Sequence, residues 1–147
     1  MLPYTFEVFS LDHIASIIVI LFLFIIFLRY NDKIGIEDDS KTFLIVLSIL
    51  MIFLDLSEDL VRIFTGYYSI TKDLPLQLCS IGVYLAAFNL MYRNQTIFNL
   101  IFYWGFVGAT NAILTPDGDL FELRIFFFYS QGYHAALIFA VLWMMIK

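Results

Sequence analysis

The second hydrophobic segment of the sequence carries four ionisable residues at helical spacing. Asp55, Glu58, Asp59 and Arg62 have offsets of 0, 3, 4 and 7, which places all four side chains on one stripe of a helix. An ionised group inside a membrane costs at least about 2.5–3.5 kcal/mol, so such groups usually face a bundle interior or water. The stripe therefore predicts a polar cavity, a proton path or a headgroup site. The alternative is that the helix leaves the hydrocarbon near Leu54.

Two residues farther along the chain could carry catalysis. His134 lies in the last hydrophobic segment, and an imidazole can act as a general base near neutral pH. Cys79 is the single thiol of the chain. Thioester chemistry would need His134 to activate Cys79, with Gln77 or Asn111 polarising the substrate carbonyl. The alternative roles are structural, because a buried cysteine usually packs as a small inert side chain and a buried histidine can be a hydrogen-bonded core residue.

The sequence predicts no cofactor and no metal. One cysteine and two histidines, His13 and His134, supply too few ligands for a structural zinc site. No nucleotide-binding motif, metal-ligand cluster or glycine-rich phosphate loop is found. The eight Lys and Arg residues form no basic run and the net charge is −5, which argues against a nucleic-acid partner.

The composition excludes an ordinary soluble domain. Hydrophobic residues make up 62% of the 147 residues and charged residues 14%, against about 45–50% and about 25% in soluble domains. A chain of this size cannot hide so much apolar surface from water. The sequence therefore predicts an integral membrane protein that contacts membrane lipids.

The hydrophobic segments predict an all-α fold, a polytopic bundle of about five transmembrane helices. Runs of this length without period-2 alternation are typical of membrane helices and not of barrel strands. The connections between them are short, so residues 1–147 are predicted to form a single domain. The predicted spans lie near residues 11–30, 43–64, 75–92, 96–114 and 125–146.

The distribution of Lys and Arg predicts the orientation. Five of these residues lie on one side of the predicted bundle and two on the other. Because positive residues favour the cytoplasm, we expect the N-terminus outside the cell membrane and the C-terminus in the cytoplasm. The five are Arg29, Lys33, Lys41, Arg93 and Lys147, and the two are Lys72 and Arg124.

Small residues in the third and fourth spans predict close helix contacts. The pair Gly82 and Ala86 has the small-xxx-small spacing that lets membrane helices approach. In the fourth span, Gly108, Asn111 and Ala112 share a stripe. We expect that stripe to face another helix, with Asn111 as its hydrogen-bonding group.

The second half of the chain resembles the YwaF-like family of bacterial multi-spanning membrane proteins, which is distantly similar to eukaryotic transmembrane protein 164. The run Leu74–Cys79 resembles the family's Leu-Pro-Leu-His-Leu-Cys. The stretch Tyr103–Asp117 resembles its Trp-Gly, Gly-Ala and Thr-Pro-Asp motifs in order and spacing. The aromatic residues before His134 resemble its final aromatic–His segment.

The resemblance implies a membrane protein but leaves the activity open. The bacterial branch is known mainly as proteins of unassigned function, and the eukaryotic relative is an acyltransferase of phospholipid remodelling with a cysteine nucleophile beside a histidine. Leu76 and Gln77 stand where that pair would be, and Cys79 lies about one helical turn on. The acyl-enzyme mechanism therefore does not carry over, and of the implied catalytic positions only His134 matches. Family members typically continue through further hydrophobic segments, so this chain is expected to be a partial chain or a short variant.

Three functions remain open at the level of sequence. The first is an enzyme that acts on membrane lipids by acyl transfer or hydrolysis, through Cys79 and His134. The second is a small-solute or proton-coupled carrier, whose polar cavity would combine the Asp55–Arg62 stripe with Asn111 and His134. The third is a non-catalytic subunit that assembles as a homo-oligomer or with a membrane partner, because its small-residue faces favour helix contacts.

Overall fold

The computed structural model describes residues 6–30, 37–70, 78–117, 121 and 123–146. These residues form five helices and no strand, which confirms the predicted all-α transmembrane bundle. The helices are α1 (Leu11–Tyr30), α2 (Glu37–Thr65), α3 (Leu78–Tyr92), α4 (Gln95–Leu114) and α5 (Arg124–Ile146).

The helix boundaries follow the hydrophobic runs closely. Helix α1 has the predicted bounds, and α4 and α5 each begin one residue earlier than predicted. Helix α2 begins six residues earlier, at Glu37, because the polar residues there continue the helix beyond the apolar run. The predicted start of the third span at Pro75 lies outside the described residues.

Three of the described helices are long and apolar enough to cross a membrane, namely α1, α4 and α5. Helix α2 has 29 residues and is about 44 Å long at 1.5 Å per residue. It therefore exceeds the hydrocarbon thickness of about 30 Å.

Helix α5 is the centre of the bundle. Within its most apolar stretch 67% of the residues are buried, against 11% for α1, whose apolar side chains mostly face outward. Leu137 is fully buried between glycines of two other helices. A methyl group added to Gly105 would lie 3.4 Å from three Leu137 atoms, and one added to Gly82 would lie 3.5 Å from Leu137. The absence of side chains at these glycines is what lets α3 and α4 approach α5.

Helix α4 does not use the stripe that its sequence predicts. Its buried face runs through Ile101, Gly105, Ala109 and Ile113, whereas Gly108 has no neighbour within 4 Å of its would-be methyl group and Asn111 is exposed. The prediction that the Gly108 stripe mediates helix contact is therefore wrong. The reason is a π-helical segment, Phe102–Val107, whose wider turn keeps residues four apart on one face.

Helix α1 is fixed to the bundle by polar contacts at its first turn. The Nδ1 atom of the fully buried His13 accepts a hydrogen bond from the Phe9 N–H at 3.0 Å, so its Nε2–H donates to the Ile113 carbonyl at 2.8 Å. Beside it, Asp12 forms an ion pair with Arg124, whose Nε lies 2.7 Å from Oδ2. These contacts bring the start of α1, the end of α4 and the start of α5 to one end of the bundle.

The central position of α5 predicts that shortening one of its buried side chains destabilises the protein. We expect Leu137→Ala to lower the free energy of unfolding by about 2–5 kcal/mol, because the cavity lies between three helices that cannot collapse onto it. Unfolding of the purified protein in mixed micelles measures the loss. The matched control is Leu21→Ala, since Leu21 is 57% exposed and its loss should change stability little. An equal effect of both substitutions would contradict the central role of α5.

Candidate functional site

The packing of α2, α3 and α5 places polar residues of all three helices at the same height along the bundle axis. Between the antiparallel α2 and α5, Phe43 stacks near Trp143, and Leu54 lies beside Gly132. Between α3 and α5, which run in the same direction, contacts join residues 55 positions apart. They are Gly82 with Leu137, and Asn89 with Met144. The same offset puts Cys79 level with His134.

Asp55 joins α2 to α3 inside the bundle. Its carboxylate is 5% exposed, and Oδ1 accepts a hydrogen bond from the Ser80 hydroxyl at 3.0 Å. Tyr84 and Cys79 on α3 also interact electrostatically with Asp55. The second oxygen, Oδ2, is buried and finds no hydrogen-bond partner among the described residues. Tyr84 is a further hydrogen-bond partner of the Asp55 side chain, so this buried carboxylate joins α2 to two side chains of α3.

Glu58 and Arg62 form an ion pair one turn closer to the end of α2. The Nε and Nη2 atoms of Arg62 both donate to Glu58 Oε1 at 3.1 Å. The guanidinium also lies over the Phe126 ring, 4.1 Å from its centroid, in a cation–π contact. The side chains are only 6% and 14% exposed. The two residues, four positions apart on α2, therefore form an ion pair that is held against α5.

Tyr133 connects the three helices of the site. Its side chain is 9% exposed and interacts electrostatically with Glu58, Cys79 and Asp55. Asp59 lies at the edge of the same group, where it interacts with Glu58 and Tyr84. We call the whole group the polar cluster. It consists of Asp55, Glu58, Asp59 and Arg62 on α2, Cys79, Ser80 and Tyr84 on α3, and Ser130, Tyr133 and His134 on α5.

His134 has one nitrogen occupied and one open. Its Nδ1 lies 2.7 Å from the Ser130 carbonyl oxygen and 3.3 Å from the Ser130 hydroxyl. Because a carbonyl oxygen can only accept, Nδ1 carries a hydrogen, and in the neutral imidazole this leaves a lone pair on Nε2. That Nε2 atom is buried and has no partner among the described residues. A histidine in this tautomer can accept a proton from a reacting group.

The sequence-predicted site residues are only partly brought together. Asp55, Glu58, Asp59, Arg62, Cys79 and His134 belong to or border the polar cluster. Asn111 is exposed on α4, where its carbonyl oxygen accepts hydrogen bonds from Thr115. Gln77 lies outside the described residues. The roles assigned to all eight residues stay predictions.

Sequence reasoning missed four members of the polar cluster. Ser130 had a local signal, since it precedes His134 by four residues and therefore lies beneath it on one helix face. No such signal marked the other three, Ser80, Tyr84 and Tyr133, because their partners lie on other helices and depend on the packing register.

A comparison with protein families identifies the family of the chain. The model of the TMEM164 family matches residues 8–147, which includes all five described helices and the whole polar cluster. The chain belongs to the TMEM164 family. No curated protein and no solved structure matches the chain. The resemblance seen in the sequence is confirmed at the level of this family, and the narrower bacterial YwaF-like assignment is compatible with it.

The polar cluster in this TMEM164-family chain extends from one end of the bundle toward its middle. Arg62 is level with Phe126, in the first turn of α5, close to the ion pair of Arg124. His134 lies ten residues beyond Arg124, a distance of about 15 Å along the helix. That is half of a hydrocarbon layer of about 30 Å. The described residues contain no group of three or more His, Cys, Asp or Glu that could hold a metal ion.

The ion pair of the polar cluster can be tested by a double-mutant cycle. We expect Arg62→Met to lower the free energy of unfolding by about 3 kcal/mol, because it leaves the Glu58 carboxylate buried without its cation. Glu58→Gln combined with Arg62→Met should recover much of that loss, since the double variant buries no net charge. Arg29→Met, at an exposed position on α1, is the control. A double variant as unstable as the sum of the two single variants would show that the pair is not coupled.

Proposed function

We propose that this protein acts on the ester linkage of membrane lipids at the polar cluster, by acyl transfer or hydrolysis. The observation that carries the proposal is the buried Nε2 atom of His134, which has a lone pair and no partner among the described residues. Such an atom inside an apolar bundle is costly unless a substrate or proton uses it. Membership of the TMEM164 family supports a function within the membrane.

In this proposal Cys79 is the nucleophile and His134 the general base. The shared register level of the two residues on α3 and α5 supports the pairing. The Ser130 carbonyl keeps the imidazole in the productive tautomer, the role that an orienting acceptor has in other nucleophile–histidine pairs. Asp55 and Tyr133 would position polar groups of the substrate.

The proposed reaction has two steps, in which a thioester forms and then breaks down. First the Cys79 sulfur attacks the acyl carbonyl carbon while the thiol proton passes to His134 Nε2. The ester C–O bond then breaks, and the leaving alkoxide takes that proton, which yields a lipid hydroxyl and a thioester. In the second step water or another lipid hydroxyl attacks the thioester. The C–S bond breaks and releases a fatty acid or a new ester. The proton of the attacking water or hydroxyl passes to Nε2 and then to the Cys79 sulfur, which restores the thiol.

The location of the polar cluster sets the route of the substrate. With the N-terminus outside the cell membrane, as the Lys and Arg distribution favours, the cluster opens toward the outer side. An ester group would enter along the Arg62–Glu58 pair and move inward to reach His134. Burial of the reaction would exclude bulk water and so favour acyl transfer to a lipid hydroxyl over hydrolysis.

Labelling in lipid vesicles tests the proposal. Because the chain has a single cysteine, an acyl-chain electrophile with a thiol-reactive group at its head should label Cys79 alone, and Cys79→Ala should abolish both labelling and release of a radiolabelled acyl chain. His134→Gln should lower the release rate at least about 100-fold, the usual contribution of a general base. The control Ser48→Ala removes a buried hydroxyl far from the cluster and should leave both readouts unchanged. Acyl release that survives Cys79→Ala would exclude the thiol as nucleophile.

A proton-coupled carrier is the second candidate, and the buried carboxylate of Asp55 favours it. Intramembrane carboxylates that line a polar path are typical of proton relays. The two functions depend on different residues, since a carrier needs Asp55 and Glu58 but not Cys79. Proton flux in vesicles that is lost in Asp55→Asn and retained in Cys79→Ala would replace the enzyme with the carrier.

A further inference from the structure

A groove between α1, α2 and α5 lies away from the polar cluster. It has a volume of about 400 Å³, and most of its lining is aliphatic or aromatic. On α5 it follows Phe128, Ala135 and Phe139, which lie about half a turn around the helix from Ser130 and Tyr133. The groove and the polar cluster are therefore separate sites.

One polar side chain in this apolar groove has no visible partner. Gln131 is only 3% exposed and lines the groove. Both its amide nitrogen and its amide oxygen are buried, and neither finds a hydrogen-bond partner among the described residues. The other polar residue of the lining is Ser16, whose hydroxyl is satisfied by the His13 carbonyl at 2.8 Å. An amide left unpaired in an apolar environment costs about 1–3 kcal/mol, so an occupant with a polar group is expected.

The groove is shaped for a chain that runs along the helices. From Phe128 to Phe139 it extends eleven residues of α5, a length of about 16 Å. Gln131 and Ser16 lie near the end where α1 and α5 begin. The far end is lined by Leu23, Leu47 and Phe139. The lining of the groove is thus polar at one end and apolar along the rest. This pattern matches a lipid acyl chain whose ester carbonyl lies at the polar end of the groove.

The rim of the groove is open to the surroundings of the bundle. Val19, Leu23 and Leu50 line it and are 45–55% exposed. A lipid can therefore enter sideways without any movement of the helices. A helix of a second copy could also cover the rim.

We propose that this groove binds one acyl chain of a membrane glycerolipid, and that the ester carbonyl oxygen of that chain accepts a hydrogen bond from Gln131 Nε2. The site is independent of the proposed reaction at the polar cluster. It holds a lipid against α1, the helix that is least buried in the bundle. The lipid thus extends the contacts of α1 with α2 and α5.

A comparison of ester and ether lipids tests the proposal. Native mass spectrometry of the detergent-solubilised protein measures binding of diacyl phosphatidylcholine and of its dialkyl ether analogue, which lacks the carbonyl oxygens. The wild-type chain should bind the ester lipid about fivefold more tightly. Gln131→Leu should bind both lipids equally and should fold at least as well, because it removes an unsatisfied amide. Equal binding of the two lipids by the wild-type chain would overturn the proposal.

Two adjacent positions of α1 supply matched variants. Val19→Trp places a large side chain on the rim and should lower lipid occupancy at least about fivefold. Ile18→Trp is the control, since Ile18 is 60% exposed and does not line the groove. A dimer that Val19→Trp dissociates, without any retained lipid, would show that a second copy occupies the groove and would overturn the proposal.

The experiment also separates this proposal from the function proposed above. Cys79→Ala and His134→Gln should keep the preference for the ester lipid while acyl release is lost. If Gln131→Leu removes acyl release as well as the preference, the groove would be part of the reaction site and its independence would be disproved.

Discussion

The burial of α5 is the constraint on which the rest of the structure depends. In a membrane the helices gain little from hydrophobic association, so close packing and internal hydrogen bonds must hold them together. Leu137 fits between Gly82 and Gly105, and this contact brings α3 and α4 against α5. It also fixes the register that makes Cys79 level with His134 and brings Asp55 to Ser80. The polar cluster is therefore a consequence of how tightly three helices surround α5.

The two histidines of the chain differ in how many of their ring nitrogens are hydrogen-bonded. Both nitrogens of His13 are satisfied by backbone groups, and the contact fixes α1 to the end of α4. His134 uses only Nδ1 for its own helix and leaves Nε2 open. Leaving the buried Nε2 of His134 without a hydrogen-bond partner among the described residues costs free energy, which is recovered if a substrate uses this atom. The proposed reaction at Cys79 supplies such a use.

Much of the fold could be predicted from the sequence, because it depends on the length of apolar runs. The bounds of α1, α4 and α5 followed to within one residue, and the stripe from Asp55 to Arg62 faces the bundle as expected. The buried face of α4 could not be predicted, since the π-helical segment changes the direction in which the residues after it point around the helix axis. The partners of Asp55 and Tyr133 could not be predicted either, because they lie on other helices. The sequence also contained no sign that the amide of Gln131 lacks hydrogen-bond partners among the described residues, because this depends on the packing around the groove.

The central claim is that His134 is neutral, with its hydrogen on Nδ1 and a lone pair on Nε2. Solid-state NMR of the protein with ¹⁵N-labelled histidine, reconstituted in lipid bilayers, reports the tautomer of each ring directly. The chain has two histidines, and the hydrogen bonds predict opposite tautomers, with the hydrogen on Nε2 in His13 and on Nδ1 in His134. A His134→Gln sample assigns the signals. One ring of each tautomer supports the account. Two rings protonated at Nε2, or a charged His134, would contradict it.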